Sequence, residues 1–361
     1  MAFVVEWRSY IEFEGRRIGQ GESPFVVAEL SGNHNGNFER AIELADAAID
    51  AGADAIKLQT YTPDTMTIKC DAKPFQIQKG PWAGRNLYEL YEWAHTPWDW
   101  HAPIFEHVKK RGCCCFSTPF DKTSLELLEG LECPIYKIAS FEIVDLELIK
   151  AVAATGKPMV ISTGMSSHDE ISDALESAYA GGCRSLVLLH CVSGYPTPVE
   201  EINVQSMARL GEEFNVPVGL SDHTLGTLVP TIATSMGACF IEKHVTLNRA
   251  DGGPDAGFSL EPDEFSEMAA AARTAWRVLG SADMQLRPVC EDETRPFRRS
   301  LFFVQSVKAG ETITSEMVRS IRPGDGLAPK HLKQILGDKA VKDIPRGTPV
   351  DWELVEGSGV V

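Results

Sequence analysis

The stretch "ACFIEKHVTL" (residues 238–247) opens as a buried strand, Ala238 to Ile241, and then carries Glu242, Lys243 and His244 with no turn residue between. A core strand ending in three ionisable side chains either surfaces there or meets a site. Seven other runs share its form: "FVVAEL" (25–30), "DAIKLQT" (54–60), "CCCFST" (113–118), "IYKIAS" (135–140), "PMVIST" (158–163), "SLVLLH" (185–190) and "VPVGLS" (216–221). They are apolar almost throughout, as parallel strands covered by helices are. Between them lie amphipathic stretches such as "NFERAIELADAAIDAG" (37–52), in which Ala41, Leu44, Ala45, Ala48 and Ile49 share one helical face. Eight strands alternating with helices over about 260 residues predict a (β/α)8 TIM barrel rather than an open sheet.

The rest of the chain is read around that barrel. The 361 residues have room for one large domain and one small one. A formal net charge of −17 disfavours nucleic acid and anionic membrane as partners, since both need a basic face. The nine cysteines include the contiguous Cys113, Cys114 and Cys115, and no C-x-x-C pair occurs; reduced, buried thiols of a cytoplasmic protein are expected. The N-terminus is too charged for a signal peptide, and no apolar run reaches membrane-spanning length. Residues 1–282 are assigned to the barrel with an N-terminal extension, in which a strand pair is expected within the first twenty residues. The segment from Tyr61 to Trp100 is long and dense in Trp and Tyr, which suits a lid or pocket wall, with a short helix at "NLYELYEWA" (86–94). Residues 283–297 are polar and proline-broken, a linker. Beyond them "KAGETITSEMV" (308–318) and "PRGTPVDWELV" (345–355) form a weak repeat sharing Gly310/Gly347, Ile313/Val350, Glu316/Glu353 and Val318/Val355, within a small β-rich domain over 298–361.

Active sites of (β/α)8 barrels lie at the C-terminal ends of the strands. Here those ends carry Glu29; Lys57 and Gln59; Ser117 and Thr118; Lys137, Ser140 and Glu142; Ser162 and Thr163; His190 to Ser193; Ser221, Asp222 and His223; and Glu242 to His244. Lys57, Lys137, Thr118, Ser140, Ser162 and Ser221 are cations or hydroxyl donors suited to a phosphate or carboxylate, although a rim salt bridge is the other use of such a lysine. His223 and His244 end neighbouring strands at matching positions and could hold a metal; two imidazoles suit Mn2+, Zn2+, Fe2+ or Co2+ better than Mg2+ and leave positions open for water or substrate. Strand alternation turns Glu242 to the same inward side as His244 and Lys243 toward the helices. Glu242 is given no role.

The segments "AELSGNHNG" (28–36), "GADAIKLQT" (52–60), "YKIAS" (136–140), "STGMSS" (162–167), "YPTP" (195–198), "GLSDHT" (219–224) and "EKHVT" (242–246), in that order, resemble the sialic acid synthase family. The tail from about Arg298 resembles that family's antifreeze-like (SAF) domain. Within the family, "KLQTYTPDTMT" (57–67), "LYELYEWAHTPWDWH" (87–101) and Ser193 in "HCVSGYPTP" (190–198) look most like the pseudaminic acid synthase branch. The resemblance implies condensation of phosphoenolpyruvate with an open-chain 2,4-diacetamido-2,4,6-trideoxy-L-altrose and water, releasing phosphate by C–O cleavage. The same reaction on N-acetylmannosamine or a legionaminic acid precursor is the nearest alternative, and a pyruvate aldolase with a Schiff base on Lys137 or Lys57 a more distant one. It further implies that Lys57, Thr118, Lys137, Ser140, Ser162, Ser193 and Ser221 hold phosphoenolpyruvate and that Glu29, Gln59, Glu142, Tyr195 and Asp255 contact the sugar or the reacting water. His223 and His244 would bind Mn2+ or Mg2+, with Co2+ a third choice. Glu29 and Glu142 both remain open as the proton-handling carboxylate. Arg322 of "RPGDG" (322–326) would reach the barrel of a partner subunit in a domain-swapped homodimer, and the product would serve bacterial surface glycans or flagellin.

Overall fold

The computed structural model describes residues 7–357, apart from Glu14 and Met284. Two short strands, β1 (Tyr10–Phe13) and β2 (Arg16–Gly19), pair antiparallel ahead of the barrel, which is the strand pair expected in the first twenty residues. Ile11 and Ile18 face each other across it, fully buried, and join a core that includes Phe25 and Phe240. Those two phenylalanines open their strands, so the hairpin packs at the end of the barrel opposite the strand C-termini.

Eight parallel strands follow: β3 (Phe25–Glu29), β4 (Ala55–Thr60), β5 (Cys114–Pro119), β6 (Tyr136–Ile138), β7 (Met159–Ser162), β8 (Leu186–Cys191), β9 (Val218–Asp222) and β10 (Phe240–His244). They close into a barrel in chain order, with β10 paired to β3. Each expected run holds one strand. The barrel closes because nearly every strand residue is buried on one face or the other, which leaves no exposed edge to protect. β6 is shorter than its run, since Ala139 and Ser140 have left the ladder where the chain turns toward Glu142.

Helices cover the outside. In the helix Phe38–Asp50 the buried residues are Ala41, Leu44, Ala45 and Ala48, while Ile49 is half-buried at the edge of the same stripe. Asn37 starts it by accepting the Arg40 N–H, and Ser167 and Glu170 form a reciprocal cap on the helix His168–Ala180. Between β4 and β5 the long segment holds a helical turn (Pro63–Met66), the helix Leu87–Ala94 within the expected "NLYELYEWA", and the start of the helix Trp98–Lys110. No helix among the described residues is long and apolar enough to cross a membrane. No disulfide forms among them either, and six of the nine cysteines are buried.

The chain divides into two compact units, 1–280 and 281–361. In the second, β11 (Ser300–Phe303) and β12 (Val318–Ile321) pair antiparallel around a core that includes Leu301, Phe303, Ile313, Val318, Val350 and Val355. The sequence repeat has a physical basis. Its paired glycines, Gly310 and Gly347, both have positive φ (77° and 91°), and its paired apolar positions, Ile313/Val350 and Val318/Val355, are all buried in that one core.

Candidate active site

A cavity of about 200 Å³ opens at the C-terminal ends of the barrel strands. Of the residues expected at the site, Lys57, Gln59, Thr118, Lys137, Ser140, Glu142, Ser162, Tyr195, Ser221, His223, His244 and Asp255 line it. Three do not. Glu29 is fully buried beneath Lys57. Ser193 stands behind Ser140, the two hydroxyls 2.8 Å apart. Arg322 belongs to the second unit.

The floor is a charge network. Lys57 Nζ pairs with Glu29 Oε2, donates to Thr118 Oγ1 at 3.2 Å, and lies 3.5 Å from Glu242 Oε1. Glu29 is held from behind by the Ser31 N–H at 3.1 Å and Gln59 Nε2 at 3.0 Å, both donating to its Oε1. Glu242 Oε1 also accepts from Ser221 Oγ at 3.3 Å and stands 3.7 Å from Lys137 Nζ. Burial lowers the Lys57 pKa, but Glu242 and Glu29 outweigh it and the net shift is upward. Burial raises Glu242, and Lys137 and Lys57 more than reverse that, so it stays ionised. For Lys137 burial wins over Glu242 and the pKa falls. Lys137 is therefore the under-compensated cation, and an incoming anion relieves it.

Several polar atoms point at nothing. Ser162 Oγ, Glu142 Oε2, Glu242 Oε2 and His244 Nδ1 are buried with no hydrogen-bond partner among the described residues. Buried polar atoms are normally paired, so four orphans in one cavity mark where a ligand belongs. Glu142 is pushed up to about 7 by burial, against the opposing charge of Lys137. Asp255 is pushed up to about 6, also by burial, and accepts from the Ser31 hydroxyl.

The histidines converge as expected, ring centroids 5.3 Å apart. His223 Nδ1 lies 2.9 Å from the Val192 carbonyl. A carbonyl only accepts, so that nitrogen carries a proton, and in the neutral ring Nε2 is the nitrogen with a lone pair to offer a cation. Burial lowers the His223 pKa, but Cys191, whose Sγ is 3.8 Å from Nδ1, raises it on balance. Burial and then His223 hold His244 well below its usual range, as a neutral imidazole. Its orphaned Nδ1 lies 3.6 Å from Asp255 Oδ2. Among the described residues no group of three or more His, Cys, Asp or Glu is arranged to hold a metal. The two imidazoles that face the cavity together, one with an orphaned ring nitrogen, could still hold a divalent cation whose other positions go to water and substrate.

The opposite wall comes from the Tyr61–Trp100 segment, which contributes Tyr61, Met66, Trp82, Leu90, Tyr91 and Ala94 to the lining. Trp82 Nε1 donates to the Pro254 carbonyl at 2.7 Å, and its ring lies 5.5 Å from Tyr195. Tyr195 in turn packs 4.5 Å from His223. Gly164, after β7, has φ +51°; a methyl there would stand 2.9 Å from Ser193 Oγ and closer still to Ser140 Cβ, so glycine permits the Ser140–Ser193 pair.

At the strand ends Glu242 and Cys191 stood among the polar groups without a role, and Ser31 and the individual wall residues were not singled out from sequence. Glu242 carried a signal, its inward parity with His244. Ser31 lies two residues beyond Glu29 and had none until the fold brought Asp255 to it.

Residues 44–284 match the NeuB family and residues 298–356 the SAF domain. A pseudaminic acid synthase of Helicobacter pylori is 44% identical over 337 residues, which cover 93% of this chain and 99% of that one. An N,N'-diacetyllegionaminic acid synthase of Legionella pneumophila is 36% identical, covering 94% and 96%. The crystal structure of an N-acetylneuraminic acid synthetase from Leptospira borgpetersenii, in complex with citrate, has a TM-score of 0.71 at 29% identity, covering 80% of this chain and 96% of that one. The chain belongs to the NeuB family, enzymes that condense phosphoenolpyruvate with a sugar, and it carries a SAF domain at its C-terminal end.

Proposed function

We propose that this enzyme joins phosphoenolpyruvate to 2,4-diacetamido-2,4,6-trideoxy-L-altrose and water, giving pseudaminic acid and phosphate. The observation that carries the reading is the division of one cavity into a cationic, hydroxyl-rich floor and an aromatic and apolar wall. A trianion needs the first. A 6-deoxy sugar bearing two acetamido groups suits the second better than a more hydroxylated sugar does. The 44% identity to a pseudaminic acid synthase along almost the whole chain supports the same choice.

Lys57, Lys137, Thr118, Ser162 and Ser221 hold the phosphate and carboxylate, and Ser193 braces Ser140 beside them. Glu29 takes the part of a positioning residue, since its carboxylate is spent on Lys57, Gln59 and the Ser31 N–H. Tyr195, Gln59 and Asp255 face the sugar. Enzymes of this family need a divalent metal, and we assign it to His223 and His244, whose imidazoles suit Mn2+ or Co2+ better than Mg2+. When bound, that cation supplies Lewis acidity at the aldehyde oxygen. C3 of phosphoenolpyruvate forms the new carbon–carbon bond to the aldehyde carbon. Protonated Glu142 gives its proton to the resulting alkoxide; the carboxylate so formed takes a proton from the water that adds at C2. The tetrahedral intermediate then collapses to the ketone: the C2–O bond to phosphorus-bound oxygen breaks, and the C2 hydroxyl proton leaves with the phosphate.

The homodimer is part of the proposal. Phe141, Val144, Met165 and Leu225 are exposed on the loops that follow β6, β7 and β9, and Leu228 at the start of the helix Leu228–Ser235. An apolar rim of this kind is normally covered. We assign its cover to the small domain of a partner subunit, whose Arg322 would complete the anion site.

The test is phosphate release from phosphoenolpyruvate with each candidate sugar, with EDTA and with added Mn2+. Release with the 6-deoxy-L-altrose derivative that is lost in EDTA and restored by Mn2+ is the expected result. Faster release with N-acetylmannosamine or the legionaminic acid precursor would overturn the sugar assignment while leaving the family reaction intact.

A further inference from the structure

Behind the two histidines lies a charge pair that takes no part in binding or proton transfer. Asp222 and Lys243 are neighbours across β9 and β10, and neither side chain has any exposed surface. Lys243 Nζ donates to Asp222 Oδ2 at 2.6 Å and to the Thr224 carbonyl. Asp222 Oδ1 accepts the Thr224 N–H at 3.0 Å, and Oδ2 accepts the Thr224 hydroxyl at 3.1 Å. Strand alternation turns this cluster to the outer side of the sheet, while Ser221, His223, Glu242 and His244 line the cavity.

A buried ion pair is a poor device for stability, because apolar residues of similar volume do as well or better. What this one offers is geometry. Four bonds tie residues 222, 224 and 243 into one unit. His223 lies between the first two, and His244 directly follows the third. The backbone at both rings is therefore clamped through a single ammonium group. We infer that Asp222 and Lys243 are positioning residues that set how His223 and His244 converge, and so the affinity of the cation site, while touching neither cation nor substrate.

The inference rests on the two-histidine reading of that site. Its test is titration of the full chain with Mn2+, followed calorimetrically and by the Mn2+ electron paramagnetic resonance signal. D222L/K243M removes both charges together, so no lone charge stays buried and the variant is expected to fold. Its Mn2+ dissociation constant should rise about tenfold, the scale seen when outer partners of metal ligands are lost, with kcat recovered at higher Mn2+. Unchanged affinity in the folded double variant overturns the inference. Should that variant fail to fold, T224V decides in the same titration. It removes one hydroxyl bond and leaves the ion pair, and affinity should weaken by about threefold; wild-type affinity there overturns the inference. H223A/H244A is the control. Undiminished Mn2+ binding by it, or none by the wild type, removes the two-histidine reading itself and this inference with it.

Discussion

Glu142 shows how burial tunes one residue for its work. Burial lifts its pKa from 4.5 to about 7, and the charges facing it are Lys137, which opposes the shift, and Asp145, which adds to it. A carboxyl poised near neutrality can both give and take a proton. The same shift weakens the fold. Glu142 binds its proton more tightly folded than unfolded, so its stabilising contribution is complete below about 4.5 and is lost as the pH rises through about 7. The difference is worth about 3 kcal/mol at pH 8. E142Q should therefore lose less thermal stability than the wild type between pH 5 and pH 8, as read from melting curves in the absence of substrate. The wild type's kcat/KM should fall as pH rises through about 7, and E142Q should lose that fall along with most of its activity. If the wild-type and E142Q melting curves shift in parallel with pH, the carboxyl is not the group that titrates.

At the scale of elements, the Tyr61–Trp100 segment separates the two halves of the cavity. The barrel strands supply the charged floor, and this inserted segment supplies the wall. It is braced on the barrel through His34, whose Nε2 lies 3.2 Å from Thr96 Oγ1, and through Trp82 to the Pro254 carbonyl. Such a division predicts separable defects. W82A should raise KM for the sugar about tenfold, the equivalent of ~1.4 kcal/mol for a lost aromatic contact. KM for phosphoenolpyruvate should stay within about twofold, because nothing on the floor leans on Trp82. Steady-state kinetics with each substrate varied in turn would show the split; equal rises in both constants would mean that the wall serves both substrates.

At the scale of the whole molecule, the question is whether one chain makes a complete site. R322A and H223A should each be inactive alone. Mixed under conditions that exchange subunits, they should recover roughly a quarter of wild-type activity, because half of the dimers are mixed and each has one intact barrel served by one intact arginine. No recovery on mixing would place Arg322 with the barrel of its own chain.

The barrel was legible because its signal is local and repeated. Eight runs of apolar, β-branched residues, each ending in polar groups, leave few folds open, and the inward parity of His223, Glu242 and His244 follows from the two-residue period of a strand. The paired glycines and apolar positions of the small domain were legible for the same reason. What the tertiary structure alone decided is which residues meet across long stretches of chain. Along the chain Glu29 and Glu142 are equal candidates for the proton-handling carboxylate, and only the pairing of β3 with β4 shows Lys57 and Gln59 already engaging the Glu29 carboxylate. Asp255 reaches Ser31 and His244 only because a loop after β10 folds back over β3. The Asp222–Lys243 pair is not legible in sequence, since alternation turns Lys243 toward the helices without saying which residue of the neighbouring strand meets it. Periodicity is a property of neighbouring residues and survives in the sequence; electrostatic partnership depends on distances that only the closed barrel sets.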